Sequence, residues 1–233
     1  ILQAKLGIRG ATSFDVTNAC MGFIDSWLVA DSYIATGRAK LALVVSAEFG
    51  TDISKLALNE MKKGGDIKHL APCLTLGDGA VAALISAEQV GSTFPKFVAG
   101  VRESFADHYP HCTLRSFSEP MKTNSGPLFD AALEHFPPMI SRLLKRLKWD
   151  ASQIACFVPH QVTRKMIELG AKIVGVPLSR VAVTLDRLGN MASVSVPFTL
   201  WESWSQGRIR RGDRVIVLGF GSGLSVGLLA LEF

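Results

Sequence analysis

The chain has 233 residues, of which 48% are hydrophobic and 19% are charged, with a formal net charge of +5. This length suits one large domain or two small ones, and this composition excludes a disordered chain. The basic excess carries no Lys/Arg block interleaved with aromatics, so it favours anionic small molecules or an acidic carrier protein over nucleic acid. No apolar run reaches the ~18 residues of a membrane span. No signal peptide is visible, although the chain opens on Ile1 rather than Met.

The cysteines show neither a C-x-x-C pair nor a regular spacing; they are Cys20, Cys73, Cys112 and Cys156. A disulfide framework or a zinc site is therefore not expected, and a reducing cytoplasm is the expected location. The segment "HYPHC" (His108–Cys112) has metal-binding residue types, but no second ligand pair accompanies it, which favours a solvated loop. We expect no tightly bound cofactor.

The first part of the chain alternates between strand and helix patterns. Apolar periodicity predicts a long helix that stops at a glycine, and a nearly continuous apolar run is typical of a strand buried on both faces. The predicted elements are a strand at Thr12–Asn18, a helix from Met21 to Gly37, the buried strand Lys40–Phe49, an irregular or partly helical Thr51–Thr75, and a strand at Gly77–Glu88.

A second series of elements follows a polar stretch, "RSFSEPMKTNSGP". Adjacent prolines are expected to break or kink the first helix of this series at Pro137-Pro138. The predicted elements are helix Phe129–Leu147, strand Ile154–His160, helix Thr163–Gly175, strand Arg180–Leu185, helix Met191–Gly207, and two closing strands within residues 212–223 and 224–233.

The two series predict an internal duplication, because strand, helix, charged turn, apolar strand, glycine turn and strand occur twice in that order. We place the halves at residues 1–92 and 93–233, with Cys20 and Asn190 at equivalent helix starts. The second half has further elements ahead of this unit, whereas the first has only Ile1–Ala11 there. If the halves are true repeats, the first half lacks about 80–90 residues at its start. We expect a second polypeptide or a longer native chain to supply them, because inner strands cannot be lost without exposing unpaired backbone.

Three residues at these positions suit thioester chemistry. Cys20 lies at a predicted helix start, where the dipole and free N–H groups are expected to lower the pKa of its thiol. His160 follows a buried strand, and Asn190 follows a glycine in the loop before a helix. A Cys–His–Asn set forms and resolves thioesters, with the His and Asn side chains donating to an oxyanion or enolate. The "GFGSG" turn (Gly219–Gly223) offers backbone N–H groups for an oxyanion hole.

Each of these residues also has an ordinary structural interpretation. Cys20 alone suits core packing, His160 suits a hydrogen-bonded strand end, and Asn190 suits a turn or helix cap. Their combination at equivalent points favours function. Two further motifs are interpreted as structural, because no helix follows them: "GLSVG" (Gly223–Gly227), which matches a nucleophile elbow, and "GFGSGL", which matches part of a dinucleotide fingerprint.

The motifs "FDVTNACMGF", "VPHQ", "GNMASVSVP" and "GFGSGLSVGLLALEF" strongly resemble the beta-ketoacyl-[acyl-carrier-protein] synthase III branch of the thiolase superfamily. The resemblance implies an α/β fold of αβαβα layers with two pseudo-repeated halves, the first N-terminally incomplete here, in a dimer of such units. It implies a Claisen condensation in which Cys20 carries the first acyl group. His160 and Asn190 would then assist decarboxylation or deprotonation of the second thioester and stabilise its enolate.

The resemblance also implies acyl-CoA or acyl-carrier-protein phosphopantetheine thioesters as substrates. The oxyanion amides correspond to the backbone N–H groups of Cys20 and Ser222. Further substrate-contacting positions, including two basic residues where the family docks its carrier, are Phe220, Gly221, Gly223, Arg164 and Lys165.

This chain departs from the family's usual pattern at Met191-Ala192-Ser193, where Thr-Ser-Ala is common. "TNACMGF" and "GSGL" are closer to the head-to-head condensing enzymes of olefin biosynthesis, which join two acyl-CoA molecules without a malonyl partner. Those enzymes use a glutamate base upstream of the cysteine that crosses the dimer interface. No Glu precedes Cys20, and the first acidic residue is Asp15. In that alternative the base would lie on the absent segment or on a partner chain.

Two other classes of function stay open at this point. A ketosynthase-like subunit without catalytic activity would only complete a partner's active site, but such subunits usually lose the nucleophile. A Cys–His hydrolase of the protease type fits poorly, because the surroundings of Cys20 lack protease signatures.

Overall fold

A computed structural model of the chain describes residues 1–88, 94–116 and 118–233, which form a mixed α/β structure. The helices are α1 (Leu2–Lys5), α2 (Gly22–Ala35), α3 (Gly50–Lys62), α4 (Ile67–Leu70), α5 (Ser125–Leu147), α6 (Arg164–Val174), α7 (Leu185–Leu188) and α8 (Ser195–Ser205). The strands are β1 (Leu41–Phe49), β2 (Asp78–Ser86), β3 (Lys96–Ser104), β4 (Cys112–Thr113), β5 (Lys122–Thr123), β6 (Ile154–Pro159), β7 (Arg214–Gly221) and β8 (Ser225–Glu232).

The main sheet has four strands in the order β3-β8-β7-β6. β6 runs parallel to β7, whereas β8 is antiparallel to both of its neighbours. Nearly every residue of β7 and β8 is buried, as their continuous apolar runs predict, because helices cover both faces. One core contains Phe136 of α5 and Ile167 of α6, and the other contains Ile24 of α2 and Val196 of α8. The two predicted closing strands are thus confirmed.

The expected interruption of α5 is absent, because the helix runs unbroken through Pro137 and Pro138. An interior proline costs a helix about 3 kcal/mol. The prolines lie on the less buried side, so Phe136, Met139 and Ile140 still pack fully into the core. Burial of that apolar face outweighs the local cost.

A second sheet pairs β1 with β2 in antiparallel register. Its inner face packs on α2, whereas its outer face is exposed, so the prediction of a strand buried on both faces is wrong. Within the described part of the chain, β1 and β2 pair only with each other. The large apolar side chains exposed on the outer face are Leu41, Leu43, Val45, Phe49 and Leu84.

Two predicted strands do not form. Residues 12–17 are irregular, with no strand beside them among the described residues. Residues 180–185 make a single bridge to β6 through Val181 and then turn into α7. The side-chain oxygen of Gln161 accepts hydrogen bonds from the N–H groups of Thr184 and Leu185. These two groups therefore cannot pair with a neighbouring strand.

The helices that flank the candidate residues follow their local signals. α2 corresponds to the helix predicted from Met21, and α6 is capped at its start by Thr163, whose Oγ1 accepts from the Met166 N–H at 3.2 Å. α6 ends at Gly175, which has the positive φ of 83° expected there. Of the helices described, none has the length and apolar character to cross a membrane. The predicted division at residues 92/93 lies outside the described residues and stays a prediction.

Candidate functional site

A cavity of about 1710 Å³ collects the ends of several elements. Its wall includes the turn before α2, the end of β6, the loop before α8, and the turn between β7 and β8. These segments bring Cys20, His160, Asn190 and Ser222 to one space. The sequence positions that were expected to converge therefore do line a common cavity.

Cys20 sits in a tight turn directly before α2. The residue before it, Ala19, has a left-handed φ of 43°, a conformation that an alanine adopts only when its surroundings hold it there. The Asn18 side chain donates to Asp25 at 2.7 Å, and the Asp25 carboxylate pairs with Arg102 at 2.8 Å. This chain of polar contacts fixes the turn that presents the cysteine.

The thiol of Cys20 is protonated at rest. Its pKa is raised to about 12, mainly by burial and to a lesser extent by the nearby Cys112 and Glu48. The expectation of a lowered pKa at a helix start is wrong for this cavity, because the loss of hydration outweighs the field of the helix. A base must therefore remove the proton when the sulfur attacks.

Alkylation of Cys20 by iodoacetamide is expected to accelerate about tenfold per pH unit from pH 7 to 10, because only the thiolate reacts. The rate, followed by peptide mass spectrometry, should show no plateau in that range. Cys156, whose pKa burial raises to about 11, provides an internal comparison in the same digest. A plateau below pH 9 at Cys20 would instead reveal a stabilised thiolate.

His160 follows the last residue of β6 and is 4% exposed. Burial lowers the pKa of its imidazole to about 4, so the ring is neutral at pH 7. Its Nδ1 atom is buried without a hydrogen-bond partner among the described residues. A neutral ring with an unused nitrogen beside a cavity can accept a proton or bond to a ligand.

The neighbouring Gln161 locks this strand end in place. It is fully buried, and its Nε2 donates to two backbone carbonyls at 2.7 and 3.3 Å. Its Oε1 accepts from the N–H groups of Thr184 and Leu185 at 3.0 and 3.1 Å. The side chain thus ties the His160 segment to the chain that leads into Asn190.

Asn190 is held by both its backbone and its side chain. Its N–H donates to Thr75 at 2.8 Å, and its carbonyl accepts from Gly77 at 3.0 Å. Its Oδ1 accepts from the N–H of Ala192 at 3.0 Å and from the hydroxyl of Ser195 at 3.3 Å. The Nδ2 amino group has no protein partner among the described residues, so it remains a donor at the cavity wall.

The turn between β7 and β8 contributes Phe220, Gly221 and Ser222 to the cavity wall, whereas Gly223 is not part of it. The Ser222 hydroxyl donates to the sulfur of Cys112 at 3.1 Å. Cys112 lines the same cavity, which the sequence did not indicate.

The two basic residues at the start of α6 lie outside the cavity wall. Arg164 is paired with Asp186, with its Nε 3.1 Å from the carboxylate. The ammonium of Lys165 lies 5.0 Å from the ring centre of Phe129, a cation–π contact. Both side chains are already engaged within the chain.

The histidines of "HYPHC" lie on a short 3-10 helix, Ala106–His111. The Nε2 atom of His108 lies 3.4 Å from that of His135 on α5. Residues 1–88, 94–116 and 118–233 contain no group of three or more His, Cys, Asp or Glu that could hold a metal ion.

Two sequence models of known families match the chain. Residues 14–101 match "3-Oxoacyl-[acyl-carrier-protein (ACP)] synthase III", and residues 144–233 match the C-terminal model of the same family. The first match contains the turn with Cys20, and the second contains His160 and Asn190.

Curated relatives are identical to this chain at about a third of the aligned positions. It is 31% identical to beta-ketoacyl-[acyl-carrier-protein] synthase III 2 of Deinococcus radiodurans over 243 residues, covering 100% of this chain and 68% of that protein. It is 32% identical to beta-ketoacyl-[acyl-carrier-protein] synthase III of Pasteurella multocida over 235 residues, covering 100% and 71%. These relatives reach their greater length as single proteins, so they give no support to the expected second polypeptide.

Solved structures are similar over the full length of this chain. Xanthomonas campestris OleA matches with a TM-score of 0.92 at 26% identity, covering 69% of that chain. The FabH of Xanthomonas oryzae pv. oryzae matches with a TM-score of 0.91 at 27% identity, covering 70%. The predicted thiolase-like α/β fold is thus confirmed. By sequence and by structure, the chain belongs to the 3-oxoacyl-[acyl-carrier-protein] synthase III family of acyltransferases, which condense thioesters.

Proposed function

We propose that Cys20, His160 and Asn190 are the residues with which this condensing enzyme joins two acyl thioesters. The observation that carries the proposal is their convergence on one cavity with a thiol, a neutral imidazole and an unpaired amide N–H group. These are the groups that acyl transfer and enolate stabilisation require. Retention of all three argues against a subunit without catalytic activity.

In the first step, the Cys20 sulfur attacks the carbonyl carbon of an acyl thioester while His160 accepts the thiol proton. The carbonyl oxygen becomes an oxyanion, to which the backbone N–H groups of Cys20 and Ser222 donate. The intermediate then expels the CoA or phosphopantetheine thiolate, which takes the proton from His160. Both side chains are neutral at rest, so transfer of the proton from Cys20 to His160 creates a charged pair only as the sulfur attacks the bound substrate.

In the second step, a second thioester forms an enolate, either by losing CO₂ from a malonyl group or by transferring a proton from its α-carbon to a carboxylate base, which the head-to-head alternative places on the absent segment or on a partner chain. His160 and the Nδ2 group of Asn190 donate to the enolate oxygen. The α-carbon attacks the acyl-Cys20 carbonyl, a carbon–carbon bond forms, and the Cys20–acyl bond breaks. The released thiolate of Cys20 then takes up a proton, from solvent after decarboxylation or from the protonated base after deprotonation.

The first experiment is mass analysis after incubation with a long-chain acyl-CoA. We expect an added acyl mass, located by peptide mapping on Cys20.

Turnover with a malonyl thioester on a carrier protein is then compared with turnover on acyl-CoA alone. Product with acyl-CoA alone would support head-to-head condensation, the alternative suggested by the motifs "TNACMGF" and "GSGL" and by the presence of OleA among the similar structures. An unmodified Cys20 together with no condensed product would overturn the proposal.

We further propose that Arg164 and Lys165 contribute to docking the acidic carrier and its phosphopantetheine. Both residues follow His160 at the start of α6, and each would have to exchange its present contact for a carrier group.

A cytoplasmic location is proposed from the cysteines, all four of which are free. A dimer of these units is proposed from the family alone.

A further inference from the structure

Glu48 is a carboxylate in the cavity that the steps above do not use. It lies near the end of β1, opposite Gly79 of β2, and it is half-buried in the cavity wall. Its Oε1 accepts from the hydroxyl of Ser193 and from the Ser193 N–H at 3.3 Å. Ser193 is 4% exposed, and its hydroxyl oxygen also lies 2.5 Å from that of Ser46.

These contacts hold a single helical turn, Ala192–Val194, against the end of β1. Ala192 has a left-handed φ of 44°, which costs an alanine about 1–2 kcal/mol. Local preference therefore does not account for the conformation of this turn. The Ala192 N–H, in turn, donates to the Oδ1 of Asn190, as the Ser195 hydroxyl does, which fixes the amide while its Nδ2 group has no partner among the described residues.

The charge of Glu48 has no basic partner among the described residues. Its hydrogen bonds within that part of the chain come from the N–H and O–H groups of Ser193. A half-buried carboxylate with two donors from one residue binds that residue firmly, since charge-assisted hydrogen bonds are roughly twice as strong as neutral ones. Glu48 also faces Cys20 closely enough to raise the pKa of its thiol.

We propose that Glu48 is a positioning residue for the condensation step, holding the turn at Ser193 so that Asn190 aims its amide at the enolate oxygen. The inference rests on the proposed function of Asn190. It distinguishes the two steps of the reaction: acyl transfer uses Cys20 and His160, whereas condensation also needs Asn190. Loss of Glu48 should therefore slow the second step far more than the first.

The test compares Glu48→Ala, Glu48→Gln and Ser193→Ala in single-turnover experiments that time acyl-Cys20 formation and product release separately. Glu48→Ala and Ser193→Ala are expected to slow condensation about 10- to 100-fold, the effect of a misplaced catalytic group. Acylation should stay within about threefold of the unmodified protein, because a group used in only one step affects only that step. The double variant Glu48→Ala/Ser193→Ala should condense no more slowly than either single variant, because each single change already breaks the same Glu48–Ser193 contact.

Glu48→Gln keeps an oxygen that accepts from Ser193 and should recover most of the condensation rate. It also removes a negative charge near Cys20, so alkylation of Cys20 at pH 8 should accelerate about two- to fivefold. Glu134→Gln is the matched control, because Glu134 is exposed on α5 and outside the cavity wall. If Glu48→Ala fails to fold, Ser193→Ala and Glu48→Gln still carry the comparison.

Two results would overturn this inference alone. One is condensation by Glu48→Ala and Ser193→Ala at the unmodified rate, and the other is an equal loss in both steps. Absence of acyl-Cys20 in the unmodified protein would instead overturn the proposed function and this inference together, because no condensation step would remain for Glu48 to support.

Discussion

Replacing Cys20 by alanine is expected to abolish both the acyl adduct and condensation, with a loss of at least about 1000-fold. No acyl-enzyme can form without the sulfur, and water or a second thiol would have to replace it. Intact mass after incubation with acyl-CoA, together with product formation, measures the two effects. Because Cys20 could also act as a packing residue, the stability of the variant should be compared with that of the unmodified protein through their urea midpoints.

The matched control for Cys20→Ala is Cys156→Ala. Cys156 is a buried residue of β6 that does not line the cavity, so its loss should leave the acyl adduct in place. Cys112 stays present in both variants and does line the cavity. An acyl mass on Cys112 in the Cys20→Ala protein, with condensation retained, would identify a different nucleophile and contradict the assignment.

Replacing Gly77 by alanine is expected to destabilise the fold by about 3 kcal/mol, the upper range for overpacking a well-packed site. A Cβ at this position would lie 2.0 Å from the carbonyl oxygen of Leu188, and that neighbour is backbone rather than a flexible side chain. Gly77 cannot retreat without losing the bond from its N–H to the Asn190 carbonyl. Urea denaturation measures the loss of stability, and condensation should fall with it because Asn190 is displaced.

Gly126→Ala is the control for this substitution. A Cβ at Gly126, in the first turn of α5, would meet nothing within 4 Å. Alanine favours a helix over glycine by up to about 1 kcal/mol, so this variant should be as stable as the original or more so. An unchanged urea midpoint in Gly77→Ala would show that the two backbones can separate without cost.

The elements that were predicted correctly have local causes. α6 has an apolar face, a threonine at its start and a glycine at its end, and β7 and β8 are continuous apolar runs. The Cys20, His160 and Asn190 positions were found because each adjoins such an element. Their local motifs also resemble a known family over most of the chain.

The contacts that support these residues could not be predicted, because they join positions far apart in sequence. Glu48 and Ser193 are separated by 145 residues, and their pairing depends on how β1 meets the turn before α8. Gln161 lies within the motif "VPHQ", but nothing in the local sequence shows that its side-chain oxygen accepts hydrogen bonds from Thr184 and Leu185, whose N–H groups a strand at residues 180–185 would need. The raised pKa of Cys20 likewise depends on burial, which the helix start alone does not reveal.

The outer face of the β1–β2 sheet has a consequence for handling the protein. It presents five large apolar side chains, including Phe49 at 70% and Leu84 at 69% exposure, on two strands that pair only with each other in the described part of the chain. When residues 1–233 are studied alone, this apolar face and the unpaired edges of its two strands favour association between molecules. Heating of that protein is therefore expected to end in irreversible aggregation, so the apparent melting temperature would depend on protein concentration and scan rate.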